Sequence, residues 1–137
     1  MNLSSQCGFI GLPRVGSYCA TKFAVRAVSE ALSAELAATN IGVTSVHPGI
    51  IRTNFIRAGH FSNEELKQRF ARRVDRFVPS PERAARKIVR AIEQNKLRVI
   101  IGPDATLIEW SKRLFPVLTH RLVAWGYRRQ NRLRIDA

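Results

Sequence analysis

The 137-residue chain is 45% hydrophobic, which is enough for one domain with its own core. It has no apolar run of the roughly 18–20 residues that span a membrane, and its first residues lack the pattern of a secretory signal, so the sequence predicts a cytoplasmic protein. Lys and Arg outnumber Asp and Glu by 23 to 10, a net charge of +13, which is typical of proteins that bind nucleic acid or anionic lipid.

The cysteines and histidines are scattered along the chain. Cys7 and Cys19 lack CxxC spacing, which favours reduced thiols in the cytoplasm. His47, His60 and His120 share no spacing typical of metal ligands. We therefore predict neither a disulfide nor a metal site.

The first half of the chain alternates between extended and helical patterns. Residues 1–5 are typical of the end of a strand, and glycines and a proline mark a loop over residues 6–17. Residues 18–39 then predict a helix with one apolar face. Ile41 to Val46 is largely β-branched and predicts a buried strand, which Pro48 and Gly49 end. The apolar face of the helix comprises Phe23, Ala24, Ala27, Val28, Ala31, Leu32 and Leu36.

The second half repeats this alternation. Residues 62–76 predict one helix, and Ser80 as N-cap with Pro81 at the first helical position predicts another. Leu97 to Ile101 predicts a third strand. Strands that alternate with helices form a parallel sheet with right-handed crossovers. Because three strands make an unusually small sheet of this kind, the sequence predicts an α/β chain that is part of a larger doubly wound, Rossmann-type fold.

A basic helical extension is predicted over residues 104–137, in two amphipathic stretches, Asp104 to Phe115 and Leu118 to Leu133. The alternatives are a helix pair that docks on the domain, a subunit contact and an interfacial membrane anchor. Packing against protein is favoured, because stripes of Trp and Leu at helical spacing usually belong to a core. The many basic residues after Arg52 are interpreted as solvated helix faces, with a binding patch as the alternative.

Ser5, Tyr18 and Lys22 form the candidate catalytic set. Tyr18 and Lys22 lie four residues apart at the start of a predicted helix and therefore project from one face of its first turn. A tyrosine is a poor base at neutral pH, but a nearby ammonium group and a helix N-terminus favour the phenolate. Such a tyrosine can exchange a proton with an alcohol or carbonyl oxygen. Ser5 follows a strand, where open α/β sheets place their active sites, and can donate a hydrogen bond to the same oxygen.

Several short segments together resemble the second half of a classical short-chain dehydrogenase/reductase. They are Asn2-Leu3-Ser4-Ser5, Gly8, Pro13, Tyr18-Cys19-Ala20-Thr21-Lys22, and His47-Pro48-Gly49 with Thr53. The resemblance covers residues 2–103 and divides the chain into that half-domain, residues 1–103, and the extension, residues 104–137. Within the half-domain it implies a catalytic segment over residues 1–39 and a loop beside the nicotinamide over residues 47–62.

The resemblance implies an oxidoreductase that transfers a hydride between NAD or NADP and an alcohol or ketone. By analogy, the residue matching Ser5 positions the carbonyl oxygen, Tyr18 is the acid/base, and Lys22 also binds the nicotinamide ribose. Four further residues are implied to lie beside the cofactor: Pro48 and Gly49 border the nicotinamide, Ile51 binds its carboxamide through the backbone, and Thr53 contacts the carboxamide or the phosphate. His47 is interpreted as a packed strand-end residue rather than a catalytic one.

The resemblance also sets expectations about partners. The family's Gly-rich turn, which holds the pyrophosphate, does not precede Ser5, so we expect the chain by itself to bind dinucleotide weakly or not at all and to aggregate through an exposed sheet edge. The complete protein is expected to be a homo-oligomer that acts on a small, lipophilic alcohol or ketone, given the apolar residues Phe55, Ile56, Phe61 and Phe70 in the loop from Ile50 to Val78. The alternative is a non-catalytic basic protein that binds anionic membrane, peripherally, or nucleic acid through its second half; nucleic acid is disfavoured.

Overall fold

A three-stranded parallel sheet forms the centre of the structure, a computed structural model that describes residues 1–52 and 78–135, with side chains to residue 130. The strands are β1 (Asn2–Leu3), β2 (Ser45–Pro48) and β3 (Arg98–Ile101), in the order β1-β2-β3. Leu3 pairs with Val46, and Val46 pairs with Val99. The carboxyl ends of all three strands therefore lie at one edge of the sheet, which confirms the predicted α/β arrangement.

Within the described residues, four helices accompany the strands: α1 (Gly16–Glu35), α2 (Pro81–Glu93), α3 (Pro103–Leu114) and α4 (Pro116–Ile135). A single 3₁₀ turn, Gln6–Gly8, follows β1. The start of α2 is as predicted, since the Ser80 hydroxyl accepts a hydrogen bond from the Arg83 amide at 3.3 Å. The helix predicted over residues 62–76 lies outside the described residues.

The apolar core lies between the sheet and α2. Residues at helical spacing on α2 pack against alternating side chains of β3 and against one side chain of β2. The buried members of this core are Val46, Ala84, Ala91, Val99 and Ile101, with Ile51 and Ile88 packed against them.

The second strand is shifted relative to its predicted position at Ile41 to Val46. The pairing begins only at Thr44, whose carbonyl accepts from the Asn2 amide at 2.8 Å, and at Ser45, whose amide donates to the Leu97 carbonyl at 2.7 Å. β1 and β3 start level with these residues, so the preceding segment has no neighbouring strand within the described chain. Ile41 is consequently 62% exposed.

Helix α1 begins and ends a few residues before the predicted bounds, and its contact with the sheet is polar rather than apolar. Ser29 is fully buried and accepts a hydrogen bond from the Asn2 side chain at 3.1 Å. The predicted apolar face, which includes Phe23 and Val28, is exposed in the described chain. The end of α1 is set locally, because the Thr39 hydroxyl donates to the Leu36 carbonyl at 2.8 Å and competes with further helical bonding.

Candidate active site

Ser5 lies where β1 leaves the sheet. The register of Leu3 with Val46 brings Ser5 level with Pro48, at the carboxyl end of the neighbouring strand. The Ser5 hydroxyl accepts a hydrogen bond from the Cys7 amide at 3.2 Å and caps the 3₁₀ turn. Because that bond uses only a lone pair of the oxygen, the Ser5 hydroxyl proton stays available for a bound molecule.

Tyr18 and Lys22 project from the first turns of α1, as the spacing predicts. The Lys22 Nζ atom lies 5.6 Å from the centre of the Tyr18 ring and donates a hydrogen bond to the Leu3 carbonyl at 3.1 Å. The bond to Leu3 fixes the ammonium group next to β1 and leaves two of its protons for other acceptors. Tyr18 is 46% exposed, so its hydroxyl can meet a substrate.

Helix α1 is tied to β1 at the level of Lys22. The Ser4 side chain is buried and donates to the Lys22 carbonyl at 2.8 Å. A methyl group on Gly8 would lie 2.6 Å from the Ser4 oxygen and 3.0 Å from that same carbonyl, so this close approach requires glycine. The position of Lys22 relative to Ser5 therefore depends on two small residues between them in space.

His47 is buried below Ser5. Its Nδ1 atom lies 3.2 Å from the Ser5 carbonyl oxygen, and its Nε2 atom lies 2.9 Å from the Ser45 hydroxyl. A carbonyl only accepts, so Nδ1 carries the proton and Nε2 accepts from Ser45. The ring stacks on Phe9 with 4.4 Å between ring centres. Burial lowers the pKa of His47, and the charges of Arg98 and Arg26 lower it further, which is consistent with a packed, neutral residue.

The segment predicted to border the nicotinamide continues from the end of β2. The Gly49 amide donates to the Ile101 carbonyl at 2.7 Å, and the Ile50 amide donates to the Asp104 carboxylate at 2.7 Å. The Ile51 side chain packs against the core, whereas its amide has no acceptor within residues 1–52 and 78–130. Thr53 lies outside the described residues.

Comparison with known proteins identifies the family. The model of the short chain dehydrogenase family matches residues 1–63, and these include Ser5, Tyr18, Lys22 and the turn at Pro48 and Gly49. A Mycobacterium tuberculosis protein named as an oxidoreductase, SadH, is 38% identical over 130 residues, which cover 92% of this chain and 47% of that protein. The chain belongs to the short-chain dehydrogenase family.

Further members of the family agree in sequence and in fold. The 11-beta-hydroxysteroid dehydrogenase-like 6 protein of Arabidopsis thaliana is 37% identical over 108 residues, which cover 74% of this chain and 31% of that protein. The crystal structure of a short-chain dehydrogenase from Streptomyces avermitilis superposes with a TM-score of 0.62 at 27% identity, covering 94% of this chain and 50% of that one. The chain thus spans about half the length of the first of these relatives and of the solved structure.

Two features of this site were not predicted from the sequence. Ser4 was assigned no role, yet it joins α1 to β1. Asp104 was assigned to the extension, yet it holds the Ile50 amide across 54 positions of sequence. The sequence gives one indication of this contact. Asp104 and Ile50 each follow a predicted strand, and the carboxyl ends of parallel strands lie at the same edge of a sheet.

The remaining ionisable groups near the site form no metal centre. Within the described ranges, no cluster of three His, Cys, Asp or Glu side chains could hold an ion.

Cys7 and Cys19 are free and buried, and burial together with the neighbouring Cys19 raises the pKa of Cys7. Among the described residues, no helix is long and apolar enough to cross a membrane.

Proposed function

We propose that this chain carries the acid/base site of an oxidoreductase that transfers a hydride between NAD or NADP and an alcohol or ketone. The observation that carries the proposal is the placement of Lys22, bonded to Leu3 and 5.6 Å from the Tyr18 ring, at the sheet edge where Ser5 emerges. The chain belongs to the short-chain dehydrogenase family, and its half-exposed Tyr18 can serve as the proton donor and acceptor that carbonyl reduction requires.

In this proposal Tyr18 exchanges the proton with the substrate oxygen. The Lys22 ammonium favours negative charge on the tyrosine oxygen when Tyr18 has given up its proton. Ser5 donates its free hydroxyl proton to the same substrate oxygen and so fixes the carbonyl in place. The chemistry of the three residues is complementary, since one moves a proton, one stabilises the resulting charge and one orients the substrate.

The cofactor-side residues of the described chain fit a nicotinamide. Within residues 1–52 and 78–130 the Ile51 amide has no acceptor, and the backbone beside it is held by Asp104, so this amide suits a carboxamide oxygen. The two remaining Lys22 protons suit ribose hydroxyls. When bound, the nicotinamide supplies or accepts the hydride. Pro48 and Gly49 are proposed to border the nicotinamide, because a strand-ending glycine lets the backbone approach a flat ligand closely. Thr53 is proposed to take part by family analogy alone.

The experiment replaces Tyr18 with Phe. The chain spans about half the length of its relatives, so for this experiment it is joined to the N-terminal half of a related short-chain dehydrogenase. Carbonyl reduction is then followed by the absorbance of NADH or NADPH. Loss of the acid/base should lower kcat by about 10²-fold or more, with the cofactor KM little changed. The chain has two tyrosines, so Tyr127→Phe in α4 is the matched control and should keep full turnover. Near-normal turnover of Tyr18→Phe would contradict the proposal.

A further inference from the structure

The outward faces of α3 and α4 are apolar. On α3, Leu107, Trp110 and Leu114 share one side, opposite the buried Ala105 and Glu109. On α4, exposed residues recur at the same helical spacing. The large apolar side chains that are between 51% and 68% exposed, on the two helices and at Phe115 between them, are Leu107, Trp110, Leu114, Phe115, Val117, Leu118, Leu122 and Trp125. We call this set the tail surface.

The charges around the tail surface are of one sign. The carboxylates of residues 103–130 are Asp104 and Glu109, and both are used inward, on the Ile50 amide and on Arg98 at 3.4 Å. The exposed lysine and arginine side chains there are all arginines, namely Arg113, Arg121, Arg128 and Arg129, and the exposed His120 lies among them. An apolar surface bordered only by cations is complementary to an apolar layer beneath negative charge.

Each tryptophan of the tail surface is paired with an arginine. Arg113 lies 5.9 Å from the Trp110 ring centre, and Arg129 lies 5.5 Å from that of Trp125. This arrangement puts an amphipathic ring and a long cationic side chain side by side, which suits the boundary between acyl chains and lipid headgroups. Since no described helix can cross a membrane, these helices would lie on the surface.

We propose that α3 and α4 bind the surface of an anionic lipid bilayer through the tail surface. A second copy of the chain fits less well, because an isologous contact would bring the same arginines together. Nucleic acid fits less well, because phosphate contacts need cations but not eight exposed large apolar side chains. This inference is independent of the proposed hydride transfer.

The chain reports its own binding, because Trp110 and Trp125 are its only tryptophans. The 137-residue chain is mixed with vesicles of phosphatidylcholine containing phosphatidylglycerol, and with vesicles of phosphatidylcholine alone. We expect a blue shift of tryptophan fluorescence and co-sedimentation with the anionic vesicles, both reduced at high salt. This measurement on the unaltered chain does not depend on whether a variant folds.

Two pairs of variants locate the surface. Leu118→Glu with Leu122→Glu should abolish vesicle binding, whereas Val89→Glu with Ile92→Glu, on the exposed side of α2, should not. Replacing Arg121 and Arg128 with Gln should weaken binding by about fivefold for each charge, and the same change at Arg86 and Arg90 of α2 should have little effect.

Three results would overturn the proposal. The first is the absence of both the blue shift and co-sedimentation with anionic vesicles. The second is a blue shift that follows protein concentration without vesicles, together with a dimer mass, which assigns the tail surface to a second copy. The third is salt-dependent binding to DNA or RNA, lost in the arginine variants, without vesicle binding.

Discussion

The Asp104 carboxylate fills the space next to Gly49, so position 49 has no room for a side chain. A methyl group built on Gly49 meets the Asp104 carboxylate, which also accepts the Ile50 amide. Gly49→Ala should therefore displace the carboxylate and break that bond, lowering the free energy of unfolding by about 1–3 kcal/mol. Urea unfolding measures this change.

A double-mutant cycle separates the clash from other effects at Gly49. In an Asp104→Ala background the space is empty, so the added cost of Gly49→Ala should fall below about 0.5 kcal/mol. Equal costs in the two backgrounds would show that the carboxylate is not the obstacle. The same cycle, run in the fused enzyme, reports whether the Ile50 bond positions the segment that we propose for the nicotinamide.

At the residue scale, the sequence predicts what depends on spacing and misses what depends on contact. Tyr18 and Lys22 lie close because four residues of helix put them on one face. The bond from Asp104 to Ile50 joins two elements whose packing no local pattern specifies. Ser4 was missed for the same reason, since its partner is a carbonyl 18 positions away.

Among the elements, the start of α2 offers a clean test of a predicted boundary. The Ser80 hydroxyl accepts from the Arg83 amide, and a separate hydrogen bond from this hydroxyl to the Glu82 carboxylate lowers the pKa of Glu82. Ser80→Ala leaves that amide without its side-chain acceptor and should cost about 1 kcal/mol of stability, measured by thermal or urea unfolding. Ser80→Asp keeps an acceptor and should restore most of the loss. An alanine variant as stable as the original chain would contradict the capping role.

The predictions for the second strand and for α1 differ from the structure because packing, rather than the local sequence pattern, decides their position and contacts. The strand predicted at Ile41 to Val46 has the right residue types, but pairing starts only where β1 and β3 run alongside it. The periodicity predicts an apolar face on α1, yet the side of α1 that meets the sheet carries Ser29. Periodicity identifies a face and does not say what the face packs against.

On the scale of the whole molecule, the structure has two unlike sides. The sheet packs against α2 through aliphatic residues, whereas it meets α1 through hydroxyls, an amide side chain and a lysine. The candidate site lies on the polar side, where α1 has to be held at a fixed distance from β1 so that Lys22 reaches Leu3. The polar packing thus places the catalytic set, and the apolar core supports the sheet beneath it.

His47 links the two halves of this arrangement and makes its stability depend on pH. It joins β2 to Ser5, and its pKa is lowered from 6.5 chiefly by burial. The hydrogen bond to the Ser5 carbonyl and the charge of Glu30 oppose this shift, whereas Arg98 and Arg26 add to it. The unfolded chain therefore binds a proton more readily than the folded chain once the pH falls below about 6.5. The contribution of His47 to the free energy of unfolding should therefore not change above that pH, and the free energy of unfolding should decrease below it.

Urea unfolding between about pH 7.5 and pH 5 measures this dependence. His47→Gln should remove the pH-dependent loss in this range and, through the two disturbed hydrogen bonds, should cost about 2 kcal/mol at the upper end. His120→Gln, on exposed α4, is the control and should keep the original dependence. If His47→Gln and the original chain lose stability in parallel on acidification, the buried imidazole is not the group responsible, and its bond to Ser5 does not couple protonation to the geometry of the site.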